Sequence, residues 1–206
     1  MSDEMMRKQF STDTATSRLN AFMLAASKRL ERDDSAIAQS VSRALAIENV
    51  VPPLLRPVEM PACAVLPEIL YNPKDDLIRL LAACAMDLHW RMAGFGKLPD
   101  TARHQLAVAE LIGPDGMFHN PDTRVGLLIQ RDGFHYPLHR HAAQEVYLVL
   151  KGTALWAVDD AQPSPRAPGS IILHESLQPH TVLTLNDPIC ALWGWVGDIG
   201  GSSYSV

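Results

Sequence analysis

Residues 133–152 read GFHYPLHRHAAQEVYLVLKG, and this stretch decides how the rest of the chain is interpreted. Four side chains with metal-binding or acid–base chemistry occupy odd positions in it: His139, His141, Glu145 and Tyr147. Successive side chains of an extended strand point to opposite faces of a sheet. We therefore expect these four side chains on one face of a β-hairpin.

The histidine and glutamate side chains of this stretch predict a catalytic metal site. Imidazole nitrogen and carboxylate oxygen are ligands that suit zinc, iron, manganese, cobalt or nickel. Three protein ligands leave coordination positions open for water or substrate. Because these ligands accept several divalent ions, the sequence leaves the identity of the metal open.

The spacing of the stretch resembles the first motif of the cupin family. Gly133, His139, His141, Glu145 and Gly152 stand at the intervals of that motif. The resemblance implies a mainly β protein built as a cupin, or jelly-roll, β-barrel. It also implies that a further metal ligand comes from a second motif later in the chain.

Residues 168–183, PGSIILHESLQPHTVL, resemble that second motif, with His180 at the position of the ligand histidine. The resemblance then implies four metal ligands: His139, His141, Glu145 and His180. The match has two departures, since cupins usually have proline where His174 stands and aspartate where Ser170 stands. We expect His174, like His135, at the rim of the site.

A closer resemblance lies in residues 136–147, YPLHRHAAQEVY, which are similar to the cupin-type dimethylsulfoniopropionate lyases of the DddQ-like group. In that group one tyrosine precedes the first histidine and another follows the glutamate by two residues. Here these positions are Tyr136 and Tyr147. The resemblance extends over roughly residues 100–197.

This resemblance implies a metal-dependent lyase that cleaves dimethylsulfoniopropionate into acrylate and dimethyl sulfide by β-elimination. A base must remove a proton from the carbon next to the substrate carboxylate. We expect Tyr147 to be that base, because a nearby divalent cation stabilises its phenolate and lowers its pKa from about 10. Tyr136 is expected as a supporting or alternative base.

Four residues are expected to bind the substrate: Tyr136, Trp193, Trp195 and His135. Trp193 and Trp195 fit the same lyase group, and their shared parity places them on one face of a strand. A sulfonium cation is attracted to an aromatic face by about 0.5 to 2 kcal/mol. The alternative for both tryptophans is ordinary core packing.

Two other functions are compatible with the same motifs. An iron(II) cupin dioxygenase acting on a small thiol or diketone can use the same three histidines and one glutamate. A cupin that binds a small ligand without turnover is the second alternative. Against a DNA-binding sensor, the predicted N-terminal helices lack a basic recognition helix.

Length and composition indicate one globular domain and exclude several partners. The 206 residues suffice for one domain with a good core, and 47% of them are apolar. A net charge of −5 offers no basic surface to nucleic acid or to an anionic membrane. The cysteines at 63, 84 and 190 are too widely spaced for a disulfide framework or a CxxC metal site.

We expect a cytoplasmic enzyme, monomeric or homodimeric, that acts on a small molecule. Its first residues, MSDEMMRKQFSTDT, are charged and polar where a signal peptide needs an apolar region. No run of about 18 apolar residues occurs in the sequence.

The first half of the chain predicts helices. Apolar residues three and four apart predict them over residues 16–32 and 35–47. A third is expected from Asp75 to Gly94 and Gly96, after a connector at 51–73 whose prolines exclude a long helix. The helices would either cover the side of the barrel or form a dimer contact or a lid.

The second half predicts short strands, and we divide the chain into a helical segment, residues 1–98, and a barrel domain, residues 99–206. The predicted strands are residues 104–112, 124–130, 146–150, 153–158, 170–173, 181–185 and 189–196. Lys151 and Gly152 predict a tight hairpin. The glycine- and serine-rich tail, residues 197–206, is expected to be loose.

Overall fold

The computed structural model describes residues 3–47 and 58–206, and in the first range it describes side chains from residue 14 onward. Helices precede a set of largely antiparallel strands, which confirms the predicted mainly β fold with helices on its N-terminal side. Pro52, Pro53 and Pro57 of the predicted connector lie outside the described residues. None of the helices in the described ranges has the length and hydropathy that a membrane span needs.

The α-helices are α1 (Asp3–Leu30), α2 (Ala36–Leu45), α3 (Leu66–Ile69) and α4 (Asp76–Cys84). α2 begins after Ser35, whose hydroxyl accepts a hydrogen bond from the backbone N–H of Ala38. α4 begins after Asp75, whose carboxylate accepts one from the N–H of Leu77, as predicted. Each cap satisfies an N–H group that the first helical turn leaves without a partner.

The predicted end of the third helix is wrong. α4 ends at Cys84 and does not continue to Gly94 and Gly96. The chain leaves the helix because Trp90 belongs to a strand and donates its Nε1–H to the carbonyl oxygen of Ala85 at 3.1 Å. Helical periodicity in the sequence therefore continued past the point where tertiary contacts end the helix.

The strands within the described residues form two sheets. They are β1 (Trp90–Arg91), β2 (Leu106–Gly113), β3 (Phe118–His119), β4 (Thr123–Gln130), β5 (His135–His139), β6 (Ala143–Lys151), β7 (Ala154–Val158), β8 (Ser164–Arg166), β9 (Ile171–His174), β10 (His180–Thr184) and β11 (Ile189–Gly197). The larger sheet has the order β1-β2-β4-β11-β6-β9, with β3 beside β2, and the smaller has the order β5-β10-β7-β8. β1 precedes the predicted domain boundary at residue 98, and that boundary stays a prediction.

The two strands of the central motif lie in different sheets, so the predicted hairpin is wrong. β5 pairs with β10 in the smaller sheet, whereas β6 pairs with β11 and β9 in the larger one. Both strands present side chains to the core between the sheets. A period of two fixes the face that a side chain occupies, but it does not fix which strand is the neighbour.

The tight hairpin predicted at Lys151 and Gly152 is also wrong, because β6 and β7 belong to different sheets. The pair instead carries the chain from one sheet to the other. Gly152 has a φ of 76°, and a Cβ at this position would lie 2.1 Å from the carbonyl oxygen of Pro188. Glycine is needed here because any side chain would displace that backbone.

The helices pack on the outer face of the larger sheet. Apolar side chains of α1, α2 and α4 form one core with the outward residues of β2, β4, β6 and β11. α2 approaches β11 so closely that a Cβ on Gly194 would lie 2.5 Å from a methyl carbon of Val41. The helices thus cover the side of the barrel, which is the first of the two positions considered.

The C-terminal tail is packed, contrary to the expectation that it is loose. Tyr204 is only 2% exposed, and Ser205 forms a backbone bridge with Arg140. The short 3-10 helix Gly201–Ser203 turns the chain toward the barrel. Burial of one aromatic side chain and these backbone hydrogen bonds outweigh the flexible composition.

Candidate active site

Side chains from both sheets converge in the core between them. His139 on β5 is the direct neighbour of His180 on β10, while Glu145 enters from β6 and His141 from the connection between β5 and β6. All four are buried, at 3% exposure or less. The nitrogen atoms of His139, His141 and His180 include a set that lies within 4.8 Å of one another. The structure therefore brings the predicted ligand residues together.

Each of these three histidines is held by a backbone carbonyl two residues away. Nδ1 of His139 lies 2.7 Å from the carbonyl oxygen of Pro137, and Nδ1 of His141 lies 3.0 Å from that of Ala143. Nδ1 of His180 lies 2.9 Å from the carbonyl oxygen of Gln178. Because a carbonyl oxygen only accepts, each Nδ1 carries a proton. In the neutral ring Nε2 then keeps its lone pair, which is the form that binds a metal ion.

Glu145 lies at the centre of the cluster. Its Oε2 is 3.2 Å from Nε2 of His141, 3.2 Å from Nε2 of His180 and 3.1 Å from Nδ1 of His174. Its Oε1 accepts a hydrogen bond from Nε1 of Trp195 at 2.7 Å. Both carboxylate oxygens are thus held in place by side chains of the core.

Burial and charge set the protonation of this cluster. Burial disfavours the ionised carboxylate, yet the charge and hydrogen bond of His141 and the hydrogen bond of His174 hold the pKa of Glu145 well below its usual value. Burial lowers the pKa of His139 to about 3, so this ring is neutral at ordinary pH. Burial also lowers the pKa of His141, but Glu145 outweighs it and the net shift is upward.

The donor set fits a divalent metal ion. Nε2 of His180 is fully buried, and no atom of the described residues makes a hydrogen bond with it, although Glu145 lies close by. An unpaired buried nitrogen is costly unless a cation or proton satisfies it. Two sets of three ligand atoms each lie within 4.8 Å of one another, one from His139, His141 and His180 and the other from Glu145, His174 and His180. Imidazole nitrogen and carboxylate oxygen are ligands that borderline and hard divalent cations accept.

An aromatic pocket that is partly open to solvent adjoins the cluster. Its wall includes Glu145 and six aromatic side chains: Phe95, Tyr136, Tyr147, Trp193, Trp195 and Tyr204. The register of β11 and β6 pairs Trp193 with Tyr147 and Trp195 with Glu145, so these four side chains share the inner face. A cavity with π faces next to a candidate metal centre can hold a small cation with a polar end.

The two predicted tyrosines differ in their surroundings. The Tyr136 ring stacks on His139, with centroids 4.2 Å apart, and its hydroxyl oxygen lies 2.9 Å from that of Tyr204. Although residue 136 is even, it points inward because the register of β10 against β5 shifts between His180 and Val182.

Burial raises the pKa of both tyrosines well above the usual value. For Tyr147 the nearby carboxylate of Glu145 adds to the effect of burial. For Tyr136 the main contributions after burial come from Tyr204 and Tyr147. Both phenols therefore hold their protons tightly until positive charge comes near.

Both histidines that were expected at the rim lie elsewhere. His135 is exposed, and its Nε2 lies 2.7 Å from Oγ1 of Thr181 on the outer side of β5. His135 is not among the residues that line the described pocket. His174 is fully buried and opposite Glu145 in the β6–β9 register, so it belongs to the centre of the cluster.

Among the aromatic residues of the pocket wall, sequence reasoning missed Phe95 and Tyr204. Tyr204 is the one that also lies against the histidines. Its ring centroid is 5.3 Å from that of His139 and 6.3 Å from that of His141. Neither periodicity nor motif spacing marks this position, because it follows the last strand in a glycine- and serine-rich segment. Its only signal was that it is the one aromatic residue in the glycine- and serine-rich tail.

Comparisons with known proteins agree with this geometry. The family model for dimethylsulfoniopropionate lyase matches residues 32–191, more than half of the 206 residues. Dimethylsulfoniopropionate lyase DddQ of Ruegeria pomeroyi is 27% identical over 156 residues, which are 74% of this chain and 78% of that protein.

Two solved structures share the fold. One, from work on the dimethylsulfoniopropionate lyases RdDddP and RnDddQII, has a TM-score of 0.72 and 25% identity, covering 93% of this chain and 98% of that one. The DddQ structure from Ruegeria pomeroyi has a TM-score of 0.66 and 24% identity, covering 88% and 96%. The predicted fold, mainly β and cupin-like with an N-terminal helical segment, is thereby confirmed.

Proposed function

The chain belongs to the dimethylsulfoniopropionate lyase family, and from this we propose that it cleaves dimethylsulfoniopropionate into acrylate and dimethyl sulfide. In this reaction a base removes a proton from the carbon next to the carboxylate. The electron pair of that C–H bond forms the new double bond, and the C–S bond breaks. Dimethyl sulfide leaves as a neutral molecule with the electron pair of that bond.

One observation carries this proposal: Glu145, which belongs to a buried set of histidines and a glutamate, also lines a pocket with aromatic walls. The substrate has a carboxylate at one end and a dimethylsulfonium group at the other. The donor set suits a metal ion for the carboxylate end, and the aromatic faces suit the cationic end. Trp193 and Trp195 are thus proposed as walls for the sulfonium.

The residues that would hold the metal are His139, His141, Glu145 and His180. When bound, a divalent ion acts as a Lewis acid that draws charge from the substrate carboxylate while the α-carbon loses its proton. Zinc, iron, manganese, cobalt and nickel all suit these ligands. The three Nδ1–H groups fixed by backbone carbonyls keep the imidazole rings in the orientation that such binding needs.

Tyr147 is the proposed base, and Tyr136 supports it. Tyr147 lies on the inner face of β6, two residues after Glu145, and lines the pocket. Since burial and Glu145 raise its pKa, the phenol loses its proton only when positive charge lies close. The sulfonium of the substrate would bring such charge, the phenol proton would pass to solvent water, and the resulting phenolate would then take the proton from the α-carbon. Tyr136 already shares its hydroxyl hydrogen bond with Tyr204, which suits a supporting role better.

The test is release of dimethyl sulfide from the purified protein, measured in the gas phase with dimethylsulfoniopropionate as substrate. We expect turnover that stops after removal of metal with a chelator and returns when a divalent metal is added back. The same rate in the absence of oxygen would separate the lyase from an iron(II) dioxygenase. Binding of the substrate without any release of product would instead support the non-catalytic alternative.

His174 is proposed to position Glu145. Its Nδ1 lies 3.1 Å from Oε2 of Glu145, while Nε1–H of Trp195 donates to the other carboxylate oxygen, Oε1. Replacing it by leucine removes the donor, whereas His174→Asn keeps an N–H near the same point. We expect His174→Leu to lower metal affinity by about 10- to 100-fold, with most of the loss restored by asparagine.

The measurement for His174 is competition between the protein and a metal chelator, with circular dichroism to confirm that each variant is folded. His135→Leu serves as the control, since His135 is exposed on the outer face. Metal affinity in folded His174→Leu equal to that of the unchanged protein would show that Glu145 needs no support from this side chain.

A monomeric or homodimeric state and a cytoplasmic location stay part of the proposal. Sedimentation equilibrium of the purified protein would determine the number of subunits.

A further inference from the structure

The C-terminal segment, residues 198–206, contributes to the same pocket as the central motif. Tyr204 lines the pocket beside Tyr136 and Trp195, and the two tyrosine hydroxyls are hydrogen-bonded with 2.9 Å between their oxygens. Tyr204 is 2% exposed, and its ring lies 6.0 Å from that of Phe95 between centroids. A segment far along the chain therefore supplies one side of the candidate active site.

Hydrogen bonds from earlier parts of the chain hold this segment. Arg124 donates from Nε to the carbonyl oxygen of Ile199 (3.1 Å), and Lys97 donates from Nζ to the carbonyl oxygens of Ser202 (3.1 Å) and Tyr204. The N–H of Ala142 donates to Oγ of Ser203 (3.0 Å). Arg140 and Ser205 exchange two backbone hydrogen bonds (3.0 and 2.9 Å). Arg124 is itself buried and bound to both oxygens of Glu110 at 2.8 Å. The segment is thus fixed at several points and not by one contact.

Two of these hydrogen-bonding residues lie next to the proposed metal ligands in the sequence. Arg140 lies between His139 and His141, and Ala142 follows them. The backbone that carries both histidines is therefore bound to the backbone of the C-terminal segment. Gly201 packs against the Phe95 ring so closely that a Cβ would come within 2.3 Å of a ring carbon. This contact brings Tyr204 back over the pocket.

We propose that the C-terminal segment is a wall of the active site, in which Tyr204 closes the pocket and acts as a positioning residue for Tyr136. The proposal rests on the proposed lyase function for its kinetic part only. The hydrogen bond between the two hydroxyls fixes the direction of the Tyr136 hydroxyl. The Tyr204 ring keeps solvent away from the buried cluster, where a drier site strengthens electrostatic interactions.

The kinetic experiment compares Tyr204→Phe, Tyr136→Phe and the double variant in release of dimethyl sulfide. Tyr204→Phe is expected to lower kcat/KM by about tenfold while metal content stays the same, because one hydrogen bond is lost. If Tyr204 acts through Tyr136, the same change in the Tyr136→Phe background has almost no further effect. Equal effects in both backgrounds, or a change of less than about twofold, would overturn the positioning role.

A second experiment tests the wall without using the reaction. Acrylamide quenching of tryptophan fluorescence is expected to increase in Tyr204→Ala, because Trp193 and Trp195 line the same pocket. Tyr204→Phe keeps the ring, so acrylamide should quench its fluorescence as much as that of the unchanged protein. Val206→Ala should give the same result, since Val206 is exposed in the same segment. Unchanged quenching in folded Tyr204→Ala would overturn the wall.

These two experiments separate this inference from the proposed function. If the unchanged protein releases no dimethyl sulfide, the proposed function fails, and quenching still decides whether Tyr204 closes the pocket. Thermal unfolding of the same three phenylalanine variants then measures the coupling between the hydroxyls. Additive shifts in melting temperature would contradict the hydrogen bond on which the positioning role depends.

Discussion

Tyr147→Phe is expected to lower kcat by about 100- to 10,000-fold, the range that loss of a general base produces. The substitution removes only the hydroxyl and keeps the ring, which lies in an edge-to-face contact with Trp156 at 5.4 Å between centroids. The fold and the metal content should therefore remain those of the unchanged protein. The loss would appear in kcat more than in KM, because the hydroxyl acts in the transition state.

Two further variants make this result specific. Tyr136→Phe should lower kcat less, since its hydroxyl is already bound to that of Tyr204 and supports the site. Tyr71→Phe is the matched control, because Tyr71 is 77% exposed and should have no effect. Dimethyl sulfide release and metal content are measured for all three. Near-normal kcat in Tyr147→Phe together with a large loss in Tyr136→Phe would transfer the role of base to Tyr136.

The sequence was informative wherever a local pattern has one structural meaning. Alternation placed Glu145 and Tyr147 on one face of β6, and motif spacing selected His180 far along the chain. Ligand spacing is informative because a metal site limits both the residue types and the faces that can supply them. The convergence of His139 and His180 follows from their direct pairing across β5 and β10.

The sequence was uninformative where contacts between residues distant in the chain determine the position of a strand or a side chain. The same alternation fits a hairpin and a pair of strands in opposite sheets, so the position of β5 relative to β6 could not be read from it. The burial of His174 depends on its register opposite Glu145, which no local pattern specifies. Tyr204 is placed by a hydrogen bond from Lys97 to its carbonyl oxygen and by the bonds that hold its neighbours in the segment, from Arg124 to Ile199 and between Arg140 and Ser205.

His180→Gln is expected to reduce metal affinity by more than about 100-fold, since even changes at residues that only orient a ligand cost about 10- to 100-fold. Nε2 of His180 makes no hydrogen bond to the described residues. The ring is nevertheless fully buried and stacks on His174 with centroids 3.9 Å apart, so the metal-free variant should unfold at a lower temperature than the metal-free unchanged protein. Added metal should stabilise only the unchanged protein, by about 2.7 kcal/mol at a free concentration 100 times Kd.

This difference separates a metal ligand from a structural histidine. Replacing a buried histidine that only packs would lower the melting temperature and leave the response to metal intact, whereas replacing a ligand removes that response. His135→Gln is the control, because its exposed ring lies on the outer side of the neighbouring strand and should leave both temperatures unchanged. Thermal unfolding with and without added metal, alongside elemental analysis, makes the measurement. A full metal complement in His180→Gln would remove this residue from the ligand set, and the remaining donors would then have to bind the ion by themselves.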